Sequence, residues 1–429
     1  MRSLKHLTLI LFGLLFAIFI IGCSEDEEEI DNGKADTSDV VVLSGTITED
    51  LKLTKDKKYL LRGGVFIGVD GGKSVTLTIE PGTIIYGESA TKGMLVINRG
   101  SKIIAEGTAS EPIVFTSDKP VGSRTRGDWG GLIINGRAPL NTGKEAYGEG
   151  GTGYYGGSDP NDNSGILKYV RVEFAGREIS PDNELNGIAF QGVGSGTIVD
   201  YVQVHMNADD GIEMFGGTVN IKHALITGVA DDCFDWTDGW QGKAQFIVCQ
   251  HYGDEGDNGF EADNSHLDNL AKPVSNPTIY NATIIGAPGS EKADTGLLLR
   301  EGTKAKIYNA IVMGWGESGI DIDHQATFDN VKNGELVVDN SIFFDNKPEN
   351  FSDDTEDKNK PELKFSEKEF AKTTMKNNLE ANQSPVADPY NLRSPNFKST
   401  GPALNHPAKT PPSDGFFESV NFYRRYWSK

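Results

Sequence analysis

Basic residues are scarce in this chain: Lys and Arg number 41 against 62 Asp and Glu, a formal charge of −21 over 429 residues. Losing Arg2 and Lys5 with a leader takes −21 to −23. A phosphate backbone is held by a basic footprint, so nucleic acid is excluded as the expected partner. Long helical periodicity is missing, and so are strong Asn-Gly or Asp-Gly turns between paired runs, which argues against a β-propeller or sandwich. No Gly-rich loop follows a strand and opens a helix, so the 51 glycines read as turns rather than a phosphate cradle. Of the seven histidines, His205, His223 and His251 sit mid-chain at a spacing that fits no metal motif, and structural hydrogen-bonded roles are expected for them. What is present is 37% hydrophobic and 24% charged residues, enough for a large core in one or two domains.

The one long apolar run, Leu7 to Ile21, follows Arg2 and Lys5 and is too short for a comfortable membrane span. It ends in Ile20-Ile21-Gly22-Cys23, which resembles the lipobox of bacterial lipoproteins and implies acylation of Cys23. Ser24 and the acids Glu25 to Glu29 come next, then a polar stretch to about Asp39 that reads as a disordered tether. That order resembles the export tag of surface lipoproteins in Bacteroidota and implies an outer-membrane, surface-exposed protein held by lipid on Cys23. Cys233 and Cys249 remain, and an oxidising envelope permits a bridge between them without showing that they meet.

From Val41 onward, short alternating segments such as Val75-Thr-Leu-Thr-Ile79, Leu95-Val-Ile97 and Leu132-Ile-Ile134 are punctuated by Gly, Asn and Asp. Aligned on a small-residue start, Asn186-Gly-Ile-Ala-Phe190, Asp210-Gly-Ile-Glu-Met214, Asp232-Cys-Phe-Asp-Trp236, Asn258-Gly-Phe-Glu-Ala262, Thr295-Gly-Leu-Leu-Leu299 and Ser318-Gly-Ile-Asp-Ile322 begin 24, 22, 26, 37 and 23 residues apart. One strand per repeat at one phase is the pattern of an all-β parallel β-helix, with 263–277 ejected as a loop from the long repeat. Alternation points Ile188, Ile212, Phe234, Phe260, Leu297 and Ile320 inward, together with Phe190, Met214, Trp236, Ala262, Leu299 and Ile322.

Ile79-Glu-Pro-Gly-Thr-Ile-Ile85, Gly107-Thr-Ala-Ser-Glu-Pro-Ile-Val-Phe-Thr116 and Gly127-Asp-Trp-Gly-Gly-Leu-Ile-Ile-Asn135 resemble a group of β-helix lipoproteins. The resemblance implies a single-stranded, right-handed solenoid of the pectin-lyase-like kind. Pro395 to Leu404 is similar to the closing coil of such solenoids, and the aromatic, basic end from Phe416 to Lys429 is expected to cap the open end. The expected organisation is a signal peptide over 1–22, a tether over 23–42, the β-helix over 43–345, and a loop, closing coil and cap over 346–429.

The outward positions of the registered strands are Ala189, Glu213, Asp235, Glu261, Leu298 and Asp321, so three successive coils carry acids about 4.8 Å apart. Like charges at that distance repel unless a cation lies between them. Glu213, Asp235 and Glu261, with Asp257 at the corner, are therefore the expected ligands of a calcium ion. Asn207-Ala-Asp-Asp-Gly-Ile-Glu-Met214 and Ala230-Asp-Asp-Cys-Phe-Asp-Trp236 resemble the catalytic coils of polygalacturonases, which would make Asp210, Asp231 and Asp232 acid and base residues. That family's next coils carry a His before Gly and an outward Arg and Lys, whereas this chain has Asn258-Gly259 and Leu298 with Arg300. Tyr147, Tyr154 and Tyr155 on the Gly-rich excursion 138–164, and Trp240, are the candidate rings for sugar stacking. The reading that emerges is a surface lipoprotein binding a polysaccharide or metal-bridged ligand, against a polysaccharide hydrolase or lyase, or an accessory subunit of an outer-membrane transporter.

Overall fold

The computed structural model describes residues 40–180, 183–353 and 365–419. Cys23, its leader and most of the tether lie outside the described residues, as do the last ten positions. Pairing in the main body is parallel and joins each strand to one a coil away, producing three faces. The first runs from Leu51–Leu53 and Thr76–Ile79 to Ala305–Tyr308 and Leu336–Asp339. On the second, Ile84–Gly87 and Ile113–Ser117 lead to Ile311–Met313, Ile342–Phe344 and Leu379–Glu380, one rung beyond residue 345. The third holds Met94–Ile97, Leu132–Asn135, Ile188–Gln191, Ile212–Phe215, Phe234–Thr237, Phe260–Ala262, Leu297–Leu299 and Asp321–Ile322.

The register on the third face is the one the repeat implies. Ile188, Ile212, Phe234, Phe260 and Leu297 form one buried column, and Phe190, Met214, Trp236, Ala262, Leu299 and Ile322 form the next. In the middle coils a single long strand serves the first two faces, bending where Tyr169, Tyr201, His223, Phe246 and Asn281 take the left-handed conformation, and in the last coils Asn309 and Asn340 take it between two separate strands. That conformation is unfavourable for non-glycine residues, and stacking of successive side chains offsets it. Tyr169 and Tyr201 stack at 4.5 Å, Tyr201 and His223 at 4.2 Å, and His223 and Phe246 at 4.9 Å.

The small residue after each corner has a packing cause. A Cβ at Gly187, Gly211, Gly259 or Gly296 would lie 2.5, 2.4, 2.3 and 2.3 Å from Val204, Ile226, Ile284 and Val312 of the facing strands. Cys233 occupies that glycine position, and Cys249 occupies the facing branched position between Ile226 and Ile284. The two cysteines therefore meet, and they form a disulfide inside the core.

The chain ends are built differently from the expected closing coil and cap. The C-terminal end of the core is covered by the helix Glu367–Thr373: Phe370 and Met375 join the core, Phe365 stacks on Phe328 at 4.8 Å, and Glu367 accepts from the Ile322 amide at 3.3 Å. Asn396–Ser399 pairs antiparallel with Val386–Asp388 and continues into a short helix, so Pro395 to Leu404 forms no coil. It lies along the side of the second face because Ile285, Ile311, Met313 and Ile342 point outward there and meet Val386, Phe397 and Ala403. The described part of the aromatic end likewise runs along the solenoid: Phe417 packs on Tyr280 and the Glu418 amide donates to Gln245.

Cys249→Ile alone would place a branched chain against Cys233 where every other coil has glycine, whereas Cys233→Gly/Cys249→Ile reproduces the neighbouring coils. Both variants lack the disulfide, so chemical denaturation should find the double variant more stable than the single one by about 1–3 kcal/mol, the cost of overpacking. A double variant no more stable than the single one would contradict the packing account.

Candidate functional site

The outward column of the third face changes character along the axis. Phe66, Val96, Ile133 and Ala189 come first, then Glu213, Asp235 and Glu261, then Leu298 and Asp321. The apolar rungs are covered by the excursion 138–164 and the segment after it: Leu140, Tyr155 and Leu185 pack with Val96, Ile133, Ala189 and Phe215. The apolar contacts of that cover end at Phe215, and beyond it Asn141 donates to the Asp238 carbonyl and to Asn264 beside the acidic coils.

Tyr155 is 4% exposed, with its hydroxyl 3.3 Å from Asp238. Its neighbour Tyr154 points the other way, 49% exposed, and meets Tyr147 edge-on at 4.9 Å across the hairpin of Ala146–Gly148 and Gly153–Tyr155. Trp240 is 0% exposed, packed against Phe234 and Trp236 and donating to the Val219 carbonyl. Of the expected stacking rings, Trp240 and Tyr155 are therefore core residues, and Tyr147 with Tyr154 forms the exposed pair.

The corner acids first serve the backbone. Asp210 accepts from the Asp232 amide at 3.0 Å, and Asp232 accepts from the Asn258 amide at 2.6 Å, so each carboxylate ties its coil to the next. This explains the Asp starts of two repeats without any chemistry. Asp209, Asp231 and Asp257, one residue earlier, are less buried.

Three overlapping groups result, in each of which one oxygen per residue lies within 4.8 Å of the others: Asp210, Glu213 and Asp235; Asp209, Asp210 and Asp231; and Asp231, Asp232 and Asp257. Glu213 is also hydrogen-bonded by the Asn186 amide group. Asp235 is 8% exposed, and its Oδ1 is buried with no hydrogen-bond donor.

Glu261 does not join the first group. Arg300, just after Leu297–Leu299, forms ion pairs with Glu261 and with Asp263, the latter at 2.9 Å. The three-rung set of Glu213, Asp235 and Glu261 is thus replaced by Asp210, Glu213 and Asp235, because a guanidinium already supplies the counter-charge at the third rung. Asp263 lies two residues beyond Glu261, and the same alternation could have placed it outward. Glu149 and Glu184 also act electrostatically on the strip, from loops whose approach no strand phase announces.

Burial, reinforced by like charge, raises these carboxyls. Asp209 is pushed up to about 7 by burial and then by Asp231, and Asp257 to about 7 by burial and the same neighbour. Burial lifts Glu261 to about 7 against the opposing pull of Arg300. Asp210, Glu213, Asp232 and Asp235 are held well above the ordinary carboxylate range, chiefly by burial. The histidines stand apart from this strip in hydrogen bonds of their own: His205 with Thr227, His223 with Asp200, and His251 with the Asn258 carbonyl.

Stacked parallel coils with an acidic lateral strip define a parallel β-helix. Residues 45–387 match the family model described as a pectate-lyase like beta helix domain, and the chain belongs to that family. No curated protein matches it. Among solved structures, the crystal structure of the Dettilon tailspike protein is similar at 13% identity and a TM-score of 0.26, over 71% of this chain and 56% of the tailspike. The chain thus spans little more than half of that tailspike's length.

Folded, these acids hold protons that the unfolded chain, with carboxyls near 4, releases. Their stabilising contribution is full below about pH 4 and is lost as pH rises through about 7. In chelator, the melting temperature should therefore fall by a few degrees from pH 5 to pH 8, and Asp235→Asn should flatten the fall. A melting temperature that rises over that interval would contradict the crowding of these acids.

Proposed function

We propose that the chain is a lipid-anchored surface protein that binds a polysaccharide on the acidic strip through a calcium ion. The observation that carries this reading is the group of Asp210, Glu213 and Asp235, with oxygens within 4.8 Å of one another and one Asp235 oxygen buried without a donor. Calcium takes oxygens at roughly 2.3–2.6 Å, so ligands on opposite sides of the ion stand about 4.6–5.2 Å apart. The donor set fits that ion. Asp210 already accepts one amide and Glu213 one side-chain donor, leaving coordination positions for water and for sugar hydroxyl or carboxylate groups. The exposed Tyr147 and Tyr154 pair offers apolar faces to sugar rings. The buried disulfide and the order of leader, Cys23 and acidic tether support an oxidising, extracytoplasmic setting. Fold membership supplies the scaffold, and the ligand is argued from the site.

A hydrolase reading has one observation in its favour: carboxyls pushed up to about 7, such as Asp209 and Asp257, can donate protons near neutrality. Against it, two of the three residues that resemblance assigns to catalysis, Asp210 and Asp232, are buried and hold the amide of the following coil.

Calorimetry with calcium should show binding that weakens at least about tenfold in Asp235→Asn, and calcium should raise the melting temperature by mass action, more at pH 8 than at pH 5. Retention on a polysaccharide panel should then be lost in chelator. Equal melting temperatures in calcium and in chelator would remove the calcium claim.

The catalytic alternative has its own assay. No reducing ends should be released from polygalacturonate by the intact protein. Asp232→Asn keeps an oxygen for the Asn258 amide, so turnover abolished by that variant at unchanged melting temperature would establish the hydrolase instead.

A further inference from the structure

We infer that the second face carries an oxyanion site, formed by Arg124 and Arg171 beside Glu173 with Arg126 along the same edge, and separate from the acidic strip. Arg171 and Glu173 are both outward on Gly165–Glu173, since Val170 and Val172 between and beside them are core residues. The loop 117–129 leaves this face after Ile113–Ser117 and folds back over it. Arg124 on that loop donates to the Lys119 carbonyl at 2.9 Å and to the Thr116 hydroxyl at 3.1 Å, so a carbonyl and a hydroxyl hold it rather than a carboxylate. The Thr116 hydroxyl in turn donates to Glu173 at 3.1 Å, and Arg171 contacts the other Glu173 oxygen at 2.5 Å. Arg171 therefore pairs with Glu173 directly, while Arg124 reaches it only through the Thr116 hydroxyl and keeps its charge unpaired by a carboxylate.

Arg171 Nε is buried without an acceptor, the condition of a donor whose partner is supplied by something else. Two coils further along the same edge, Arg126 donates to the Gly228 carbonyl at 2.6 Å and makes a two-pronged pair with Asp254 at 2.8 and 2.9 Å. Between them lies His205, paired in register with Glu173 and acted on by the charges of Glu173, Arg171 and Arg126. Three guanidiniums thus face two carboxylates in a chain of net charge −21. Planar guanidinium forks match the oxygens of sulfate and carboxylate groups. The ligand chemistry is an oxyanion, either free or borne on a polymer such as a sulfated polysaccharide.

The intact chain is titrated by calorimetry with sodium sulfate and, separately, with dextran sulfate, at constant ionic strength in chloride and in the presence of chelator. Arg124→Gln and Arg171→Lys should each weaken binding about tenfold, the second because lysine keeps the charge toward Glu173 and loses the fork. Arg62→Gln, which removes a paired arginine elsewhere on the solenoid, should leave it unchanged, and thermal melts of all variants check folding. Arginine-dependent binding of free sulfate supports the site, and arginine-dependent binding of dextran sulfate alone supports it with a polymer-borne anion. Affinity that is unaffected by Arg124→Gln and Arg171→Lys, or reduced equally by Arg62→Gln, would overturn it. Because chelator is present throughout, failure of the calcium reading leaves this result intact.

Discussion

Parallel stacking with each coil in register repeats every side chain's environment about 4.8 Å above and below it, and the remaining architecture depends on that repetition. A residue type is tolerated only if a column of its like is tolerated. Aliphatic and aromatic columns meet this condition inside, from Ile188 to Leu297 and from Phe190 to Ile322. Rings and amides meet it at the left-handed corner from Tyr169 to Asn340, where stacking compensates an unfavourable backbone. Carboxylates do not meet it unaided. The column from Glu213 to Glu261 is the place where the stacking rule works against the chain.

The solenoid resolves the conflict differently at each rung. Asn186 donates to Glu213, Asp235 has one oxygen with no donor, and Arg300 neutralises Glu261 and Asp263. Charge is thus satisfied at both ends of the acidic stretch and left over in the middle. The apolar packing of the excursion keeps to the same boundary: Leu140, Tyr155 and Leu185 rest on apolar rungs, and beyond them the chain reaches the acidic coils through polar contacts of Asn141 with Asp238 and Asn264. Tyr155 fixes the hairpin by its ring and by its contact with Asp238, which leaves Tyr154 pointing outward.

Much of this was legible from the repeat alone, because strand alternation is local and a shared phase across coils converts it into columns. Glu213, Asp235 and Glu261 were placed outward, and Phe234 and Trp236 inward, by that logic. Even the disulfide left a trace: Cys233 stands where other repeats carry glycine. What escaped was whatever depends on segments without a phase. Trp240 follows its strand by three residues in a turn, and nothing in the pattern showed that its ring closes over Phe234. Arg300 lies just past its strand, so its reach back to Glu261 depends on side-chain length rather than on register. The segment Pro395 to Leu404 has the composition of a coil, yet outward-facing Ile311, Met313 and Ile342 give it an apolar strip on the side of the solenoid, where it packs instead.

Fold and site also share atoms, which limits how far the acidic strip can vary. Asp210 and Asp232 each use one oxygen to hold the amide of the next coil, and both also belong to the clusters of close carboxylates. Replacement by an apolar residue would remove a carboxylate oxygen and leave a buried amide without its acceptor, a loss of roughly 1–3 kcal/mol. Asparagine would keep an oxygen for the amide and discard the charge, and at the following corner Asn258 stands without charge and its side-chain amide donates to Glu261. It coincides with the rung where Arg300 takes over the pairing of Glu261. The loss of negative charge at one corner and the arrival of positive charge on the next strand together end the strip. Its length along the solenoid axis is therefore set by Asn258 and Arg300 as much as by the acids themselves.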